Sequence, residues 1–183
     1  MLKQANEQVG RAFAQVARWL GQAGRAVAPV ARDRGVPDDV TRTVFTKLEA
    51  LDTPGHTMSH VCMLSHTDTP ALFCGDTLFN AGVGHCRSGN PQSLYSTFAE
   101  QIFKLPSETL VYPGHDYIVN NLNFTLDREP DNSAALELKK KVETQNTHDA
   151  LVTTLGLEKQ INTFFRLHSA GVIKKLVEKF PDL

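Results

Sequence analysis

Three residues of this chain carry metal-binding side chains at places where a backbone can hold them still: His56, Asp76 and His115. His56 follows Thr53-Pro54-Gly55, Asp76 follows Phe73-Cys74-Gly75, and His115 follows Tyr112-Pro113-Gly114. Each therefore stands just past an apolar run or inside a tight glycine-containing turn. Proline fixes φ and glycine permits conformations that other residues resist, so such turns present a side chain on a stiff support. Imidazole plus carboxylate is a donor set that suits zinc or iron. Taken singly, a histidine is more often structural than a ligand, and an Asp after Gly commonly just forms a turn.

The elements that must position these residues are short strands. Val61 to Leu64 and Ala71 to Cys74 read as a hairpin across the polar turn Ser65 to Pro70, with His56 at its entry and Asp76 at its exit. Thr109 to Tyr112 reads as a buried strand leading to His115. The turn at Pro54-Gly55 needs an entry strand, expected within residues 43–51. Leu94, Phe98, Ile102 and Leu105 give one apolar stripe, so Ser93 to Lys104 is expected to be a helix, stopped by Pro106. Another helix begins near Asn120, and Ala134 to Thr144 forms a third after the charged loop Asp127 to Asn132. Residues 151–157 and 161–167 read as a C-terminal helical region. The glycine-rich stretch Asn80 to Gly89 lacks GxGxxG and the strand–helix context of a dinucleotide site, which excludes a nucleotide reading. Four residues after His56, His60 reads as a packing or hydrogen-bonding histidine, and His66 as solvated.

Composition narrows the classes. The chain has 183 residues, enough for one domain with a real core. A formal net charge of −1 gives nucleic acid no electrostatic footing. No apolar run approaches membrane-spanning length. The cysteines, Cys62, Cys74 and Cys86, are odd in number and form no CxxC pair. A disulfide framework is therefore not expected, and a reducing compartment, the cytoplasm, is. Residues 1–42 differ from the rest. Val9, Phe13, Val16 and Leu20 follow a helical period, and Arg11, Arg18, Arg25 and Arg32 recur every seven residues. Residues 8–20 are expected to form an amphipathic helix packed on something, ahead of a turn at Gly35-Val36-Pro37-Asp38.

Several separate segments occur in one family's order. Thr53-Pro54-Gly55-His56-Thr57, the run Leu72 to Gly84, the run Leu105 to Phe124, and Asp127 to Asn132 together resemble the second half of glyoxalase II, the hydroxyacylglutathione hydrolases of the metallo-β-lactamase superfamily. The resemblance implies an α/β fold, part of an αββα sandwich: the second sheet plus helices, with a C-terminal helical part. It divides the chain into residues 1–42 without resemblance, a metallo-β-lactamase-like part at 43–132 and a helical part at 133–183. It implies that His56 binds a first metal, that Asp76 bridges, and that His115 binds a second. Two zinc or iron ions occupy an intact relative. His85, Arg87 and Tyr117 would contact a glutathione thioester, a small-molecule substrate.

The same resemblance exposes a gap. The family's first metal motif is Thr-His-x-His-x-Asp-His, and no two of the histidines here are separated by one residue. Three expected ligands are present, so each ion would have two protein donors unless His60, His85 or Cys86 substituted; chemically, thiolate makes Cys86 the best of these. No catalytic residue follows from the sequence. The implied activity is metal-dependent thioester hydrolysis, incomplete in these 183 residues. The alternatives are a non-catalytic remnant serving as a partner module and a persulfide dioxygenase-like protein with one iron. Apolar sheet surface left by the absent first half would favour self-association.

Overall fold

The computed structural model describes residues 48–86, 88–144 and 151–180. The amphipathic stretch at 8–20, most of the expected entry strand, and Arg87 lie outside them. The chain divides after Leu48, and the described residues other than Leu48 belong to the unit Glu49–Leu183.

Five strands form the main sheet in the order β1-β2-β3-β6-β7. They are β1 (Leu48–Asp52), β2 (Val61–Ser65), β3 (Ala71–Gly75), β6 (Leu110–Pro113) and β7 (Thr153–Thr154). β2 and β3 make the expected antiparallel hairpin, with Leu64 opposite Leu72. β6 then joins β3 in parallel, Leu72 beside Val111. That pairing brings the C-terminal ends of two strands side by side, and both ends carry a candidate ligand. A second, two-stranded sheet pairs β4 (Leu78–Phe79) with β5 (Gly82–Val83).

Alternation along the strands sets the two faces. Cys62, Leu64, Leu72, Cys74 and Val111 are buried against Leu94 and Phe98 of α1 (Pro91–Glu100), Ile102, Leu155 and Phe165. On the opposite face Phe73 and Tyr112 stack at 5.2 Å and remain 46% and 37% exposed. α1 is opened by Asn90, whose side chain accepts the Ser93 N–H, and by Pro91 in the first turn, where its missing N–H costs nothing. The expected single helix to Lys104 is broken at Gln101, and Ile102–Lys104 is a separate 3₁₀ turn.

The helical layer comprises α2 (Ile118–Arg128), α3 (Ser133–Thr144), α4 (Leu155–Ile161) and α5 (Ala170–Lys179). Ile118 and Leu122 of α2 bury against Ala135, Leu138, Ile161 and Ala81. Two segments singled out in the sequence meet here: Arg166 forms a two-pronged pair with Glu129, Nε to Oε2 and Nη2 to Oε1 each 2.7 Å, and Ser169 Oγ also donates to Oε1. The guanidinium holds the Glu129 carboxyl below its ordinary range. One expectation is corrected: Thr153–Thr154 is not helical but an edge strand, pairing with Leu110 and Val111. Two β-branched residues gain more from that ladder than from one helical turn.

Candidate metal centre

The three predicted side chains converge. At the end of β3, Gly75 takes φ +48°, a left-handed conformation that glycine adopts without the Cβ penalty, and the chain turns to present Asp76. Gly114, following β6, donates its N–H to the Gly75 carbonyl at 2.9 Å, which sets His115 beside Asp76. His56 arrives from the β1–β2 loop, held by bonds from Gly55 N–H to Thr57 O and from Asn90 N–H to Gly55 O. His56 Nε2 lies 3.4 Å from Asp76 Oδ2, and His115 Nε2 lies 3.5 Å from Asp76 Oδ1.

The hydrogen bonding of His56 tells what the gap is for. Its Nδ1 is 2.6 Å from the His85 carbonyl oxygen, which can only accept, so Nδ1 carries the proton. In the neutral ring Nε2 is then a lone pair aimed at a carboxylate oxygen. Two acceptors facing each other are favourable only with a cation between them. A shared proton would draw N and O to about 2.7–2.9 Å. The observed 3.4 Å is longer than that and leaves room for an ion between the two atoms. A backbone carbonyl on the far nitrogen is also the usual support for a metal-binding imidazole. The donor chemistry thus fits a metal at Asp76 Oδ2, and at Oδ1 the His115 imidazole supplies a donor of the same type. The number of donors does not fit: each oxygen faces one imidazole, and among the described residues no three His, Cys, Asp or Glu side chains gather around one point.

The substitute ligands do not come in. His60 is turned away: its Nε2 accepts the Asp76 N–H at 3.3 Å, so in the neutral ring Nδ1 donates to Thr77 Oγ1 at 2.9 Å. Burial first, and then the neighbouring His56, lower its pKa, with Asp76 opposing. His60 props the Asp76 backbone from behind. Cys86 instead packs against the main core and joins no cluster of three metal-binding side chains among the described residues. His85 is exposed and contributes its carbonyl rather than its ring. Tyr117 is exposed beside His115, with ring centres 5.5 Å apart, and its edge meets Phe79 at 5.2 Å.

Sequence reasoning overlooked two supports. A Cβ on Gly84 would overlap the Asp76 carbonyl oxygen and lie 3.0 Å from His56 Nδ1, so only glycine lets the chain pass between them. Asp116 Oδ1 accepts the Ile118 N–H at 3.1 Å and starts α2 directly after His115. The Gly-x-Gly spacing at Gly82 and Gly84 was the available signal for the first.

Residues 5–115 match the model of the metallo-beta-lactamase superfamily. The chain belongs to that superfamily. The match begins inside the stretch where the sequence reading found no resemblance. Residues 116–182 match the model of the hydroxyacylglutathione hydrolase C-terminus. A hydroxyacylglutathione hydrolase of Nitrosococcus oceani is 59% identical over 137 residues, covering 74% of this chain and 52% of that protein. One from a Polaromonas species is 57% identical over 165 residues, covering 88% of this chain and 62% of that protein. The chain therefore spans between half and two thirds of the length of these relatives. The solved structure of ETHE1 from Myxococcus xanthus superposes with a TM-score of 0.45 at 27% identity, over 74% of this chain and 46% of that one. Membership in this superfamily implies metal ions.

Proposed function

We propose that this chain carries one wall of the binuclear centre of a metal-dependent thioester hydrolase of the hydroxyacylglutathione hydrolase type. The observation that supports it is the placement of two imidazole Nε2 atoms on opposite oxygens of one carboxylate. In this reading His56 and Asp76 Oδ2 hold one ion, and His115 and Asp76 Oδ1 the other, zinc or iron in each case. The remaining donors come from polypeptide outside the described residues. When bound, such ions acidify water and polarise a thioester carbonyl.

The residues of this chain have distinct parts in the reading. Asp76 fixes the separation of the two positions through one rigid carboxylate. The His85 carbonyl keeps the proton of His56 on Nδ1, and so keeps Nε2 ready to bind a cation. Tyr117, with His85 and Arg87, would contact the glutathione portion of the thioester, Tyr117 from the open side next to His115. Cys62, Cys74 and Cys86 are free thiols, which suits the cytoplasm. Among the described residues no helix is long and apolar enough to cross a membrane. The uncovered sheet face at Phe73 and Tyr112 supports self-association of the chain as given.

The test is hydrolysis of S-lactoylglutathione by the full chain with zinc or iron supplied. Slow turnover that a chelator removes and that Asp76→Ala abolishes supports the reading. Turnover indifferent to both chelator and Asp76→Ala refutes it.

A further inference from the structure

Far along the chain from the candidate ligands lies a second polar centre, and it is completely closed. Glu158 of α4 is fully buried, and among the described residues it pairs with no lysine or arginine. Its carboxylate is nonetheless fully engaged. Oε2 accepts the Ala81 N–H at 2.9 Å and an Asn162 Nδ2 hydrogen at 3.1 Å, and Oε1 accepts from Thr153 Oγ1 at 2.7 Å. Thr153 Oγ1 in turn accepts from Asn80 Nδ2 at 2.8 Å. Asn162 reaches the Gly82 carbonyl at 3.1 Å, and Asn121 the Asn80 carbonyl at 2.9 Å. Everything gripped on the near side belongs to one short segment, Asn80 to Gly82, which is the turn of the β4–β5 hairpin.

That turn would not hold itself. Ala81 has φ +56°, the one positive value at a non-glycine residue among those described. The left-handed region costs such a residue about 1–2 kcal/mol, and a strained conformation persists only where its surroundings over-determine it. Here the surroundings are Glu158 on the Ala81 N–H and Asn162 and Asn121 on the flanking carbonyls. The outgoing strand then runs from Gly82 through Val83 to Gly84, which threads between Asp76 and His56, and on to the carbonyl of His85. The far end of the clamped hairpin is thus the acceptor that sets the His56 tautomer.

We infer that Glu158, through the Ala81 turn and the β4–β5 hairpin, is a positioning residue for His56: it fixes the His85 carbonyl and thereby keeps the imidazole proton on Nδ1 and Nε2 open toward Asp76. The C-terminal helical layer therefore organises one side of the metal centre without contributing a ligand to it. This inference stands whether or not the site hydrolyses a thioester, because it concerns the geometry of the chain by itself.

Gln at this position would keep one oxygen for the Ala81 and Asn162 donors and offer an N–H to Thr153 Oγ1. Leu of similar bulk would keep none of these bonds. The experiment is imidazole ¹⁵N NMR on the full 183-residue chain, which distinguishes a ring protonated on Nδ1 from one protonated on Nε2. The Nδ1-protonated pattern of His56 should be retained in Glu158→Gln and lost in Glu158→Leu. Val172→Ala, which disturbs the same helical layer outside the buried cluster that contains Ala81, should retain it. A folded Glu158→Leu chain with an unchanged His56 pattern would overturn the inference, as would loss of the pattern in Val172→Ala. Should Glu158→Leu not fold, Glu158→Asp decides: it keeps a carboxylate but is one methylene too short to hold the Ala81 N–H. A shift of the His56 signals supports the clamp, and unchanged signals overturn it.

Discussion

Asp76 and Glu158 are both carboxylates in polar clusters, and the two clusters are built in opposite ways. Around Glu158 every acceptor meets a donor, the distances lie between 2.7 and 3.1 Å, and the group is sealed from solvent. Around Asp76 two imidazole nitrogens approach to 3.4 and 3.5 Å, too far for good hydrogen bonds, and the site is open. A buried polar group that is fully satisfied stabilises the fold and asks for nothing further. Two imidazoles held at that distance from one carboxylate leave room for the cations proposed above. The first cluster shapes the scaffold that the second needs in order to stay unsatisfied.

If that contrast is right, the same kind of substitution has unequal effects at the two centres. Glu158→Leu leaves the Ala81 N–H, Thr153 and Asn162 without their buried partner, and should cost about 3 kcal/mol or more by chemical denaturation. Gly84→Ala comes next. Its methyl meets the Asp76 carbonyl, and the backbone must shift at a cost of roughly 1–3 kcal/mol, with loss of the His56–His85 bond in the NMR spectrum. Similar losses from Glu158→Leu and Asp76→Asn would break the comparison.

An ordinary ion pair lies between these extremes. Glu129→Gln should destabilise the chain by about 1–2 kcal/mol at neutral pH, because Arg166 and Ser169 both bind the carboxylate. The sign with pH follows from linkage. The folded-state pKa of Glu129 is depressed, so its contribution is complete above about 4.3 and is lost as pH falls through the lower folded value. Denaturation of wild type and variant should therefore converge in acid and differ most above that window. The smallest effect is expected at the open centre itself: His115→Ala, with its side chain 55% exposed, should change stability by less than about 0.5 kcal/mol in the absence of metal.

The same contrast explains what could be read from the sequence. His56, Asp76 and His115 were legible because each follows a proline or glycine turn at a strand end, and parallel pairing of β3 with β6 brings two of those ends together. The β4–β5 hairpin was not, because its strands are two residues long and two of its residues, Gly82 and Ala81, mimic a flexible loop. Thr153–Thr154 is likewise a strand only through its neighbour Leu110, a non-local partner that a local period cannot reveal. Glu158, in Leu-Gly-Leu-Glu-Lys-Gln-Ile, looks like any solvent-facing helical glutamate, and nothing local marks it as the anchor of a turn 77 positions away. His60, read as a packing or hydrogen-bonding histidine, does hold the Asp76 N–H and Thr77 Oγ1.

The described residues present two candidate metal positions around Asp76 with two donors each. Zinc titration of the metal-free full chain, followed by calorimetry and by elemental analysis after dialysis, tests this most directly. Three protein donors plus water is the usual minimum for a catalytic zinc. Weak binding is expected, with both ions lost on dialysis and the residual affinity removed by Asp76→Ala. Two ions per chain that survive dialysis would contradict it, and would show that ligands within these 183 residues complete the centre.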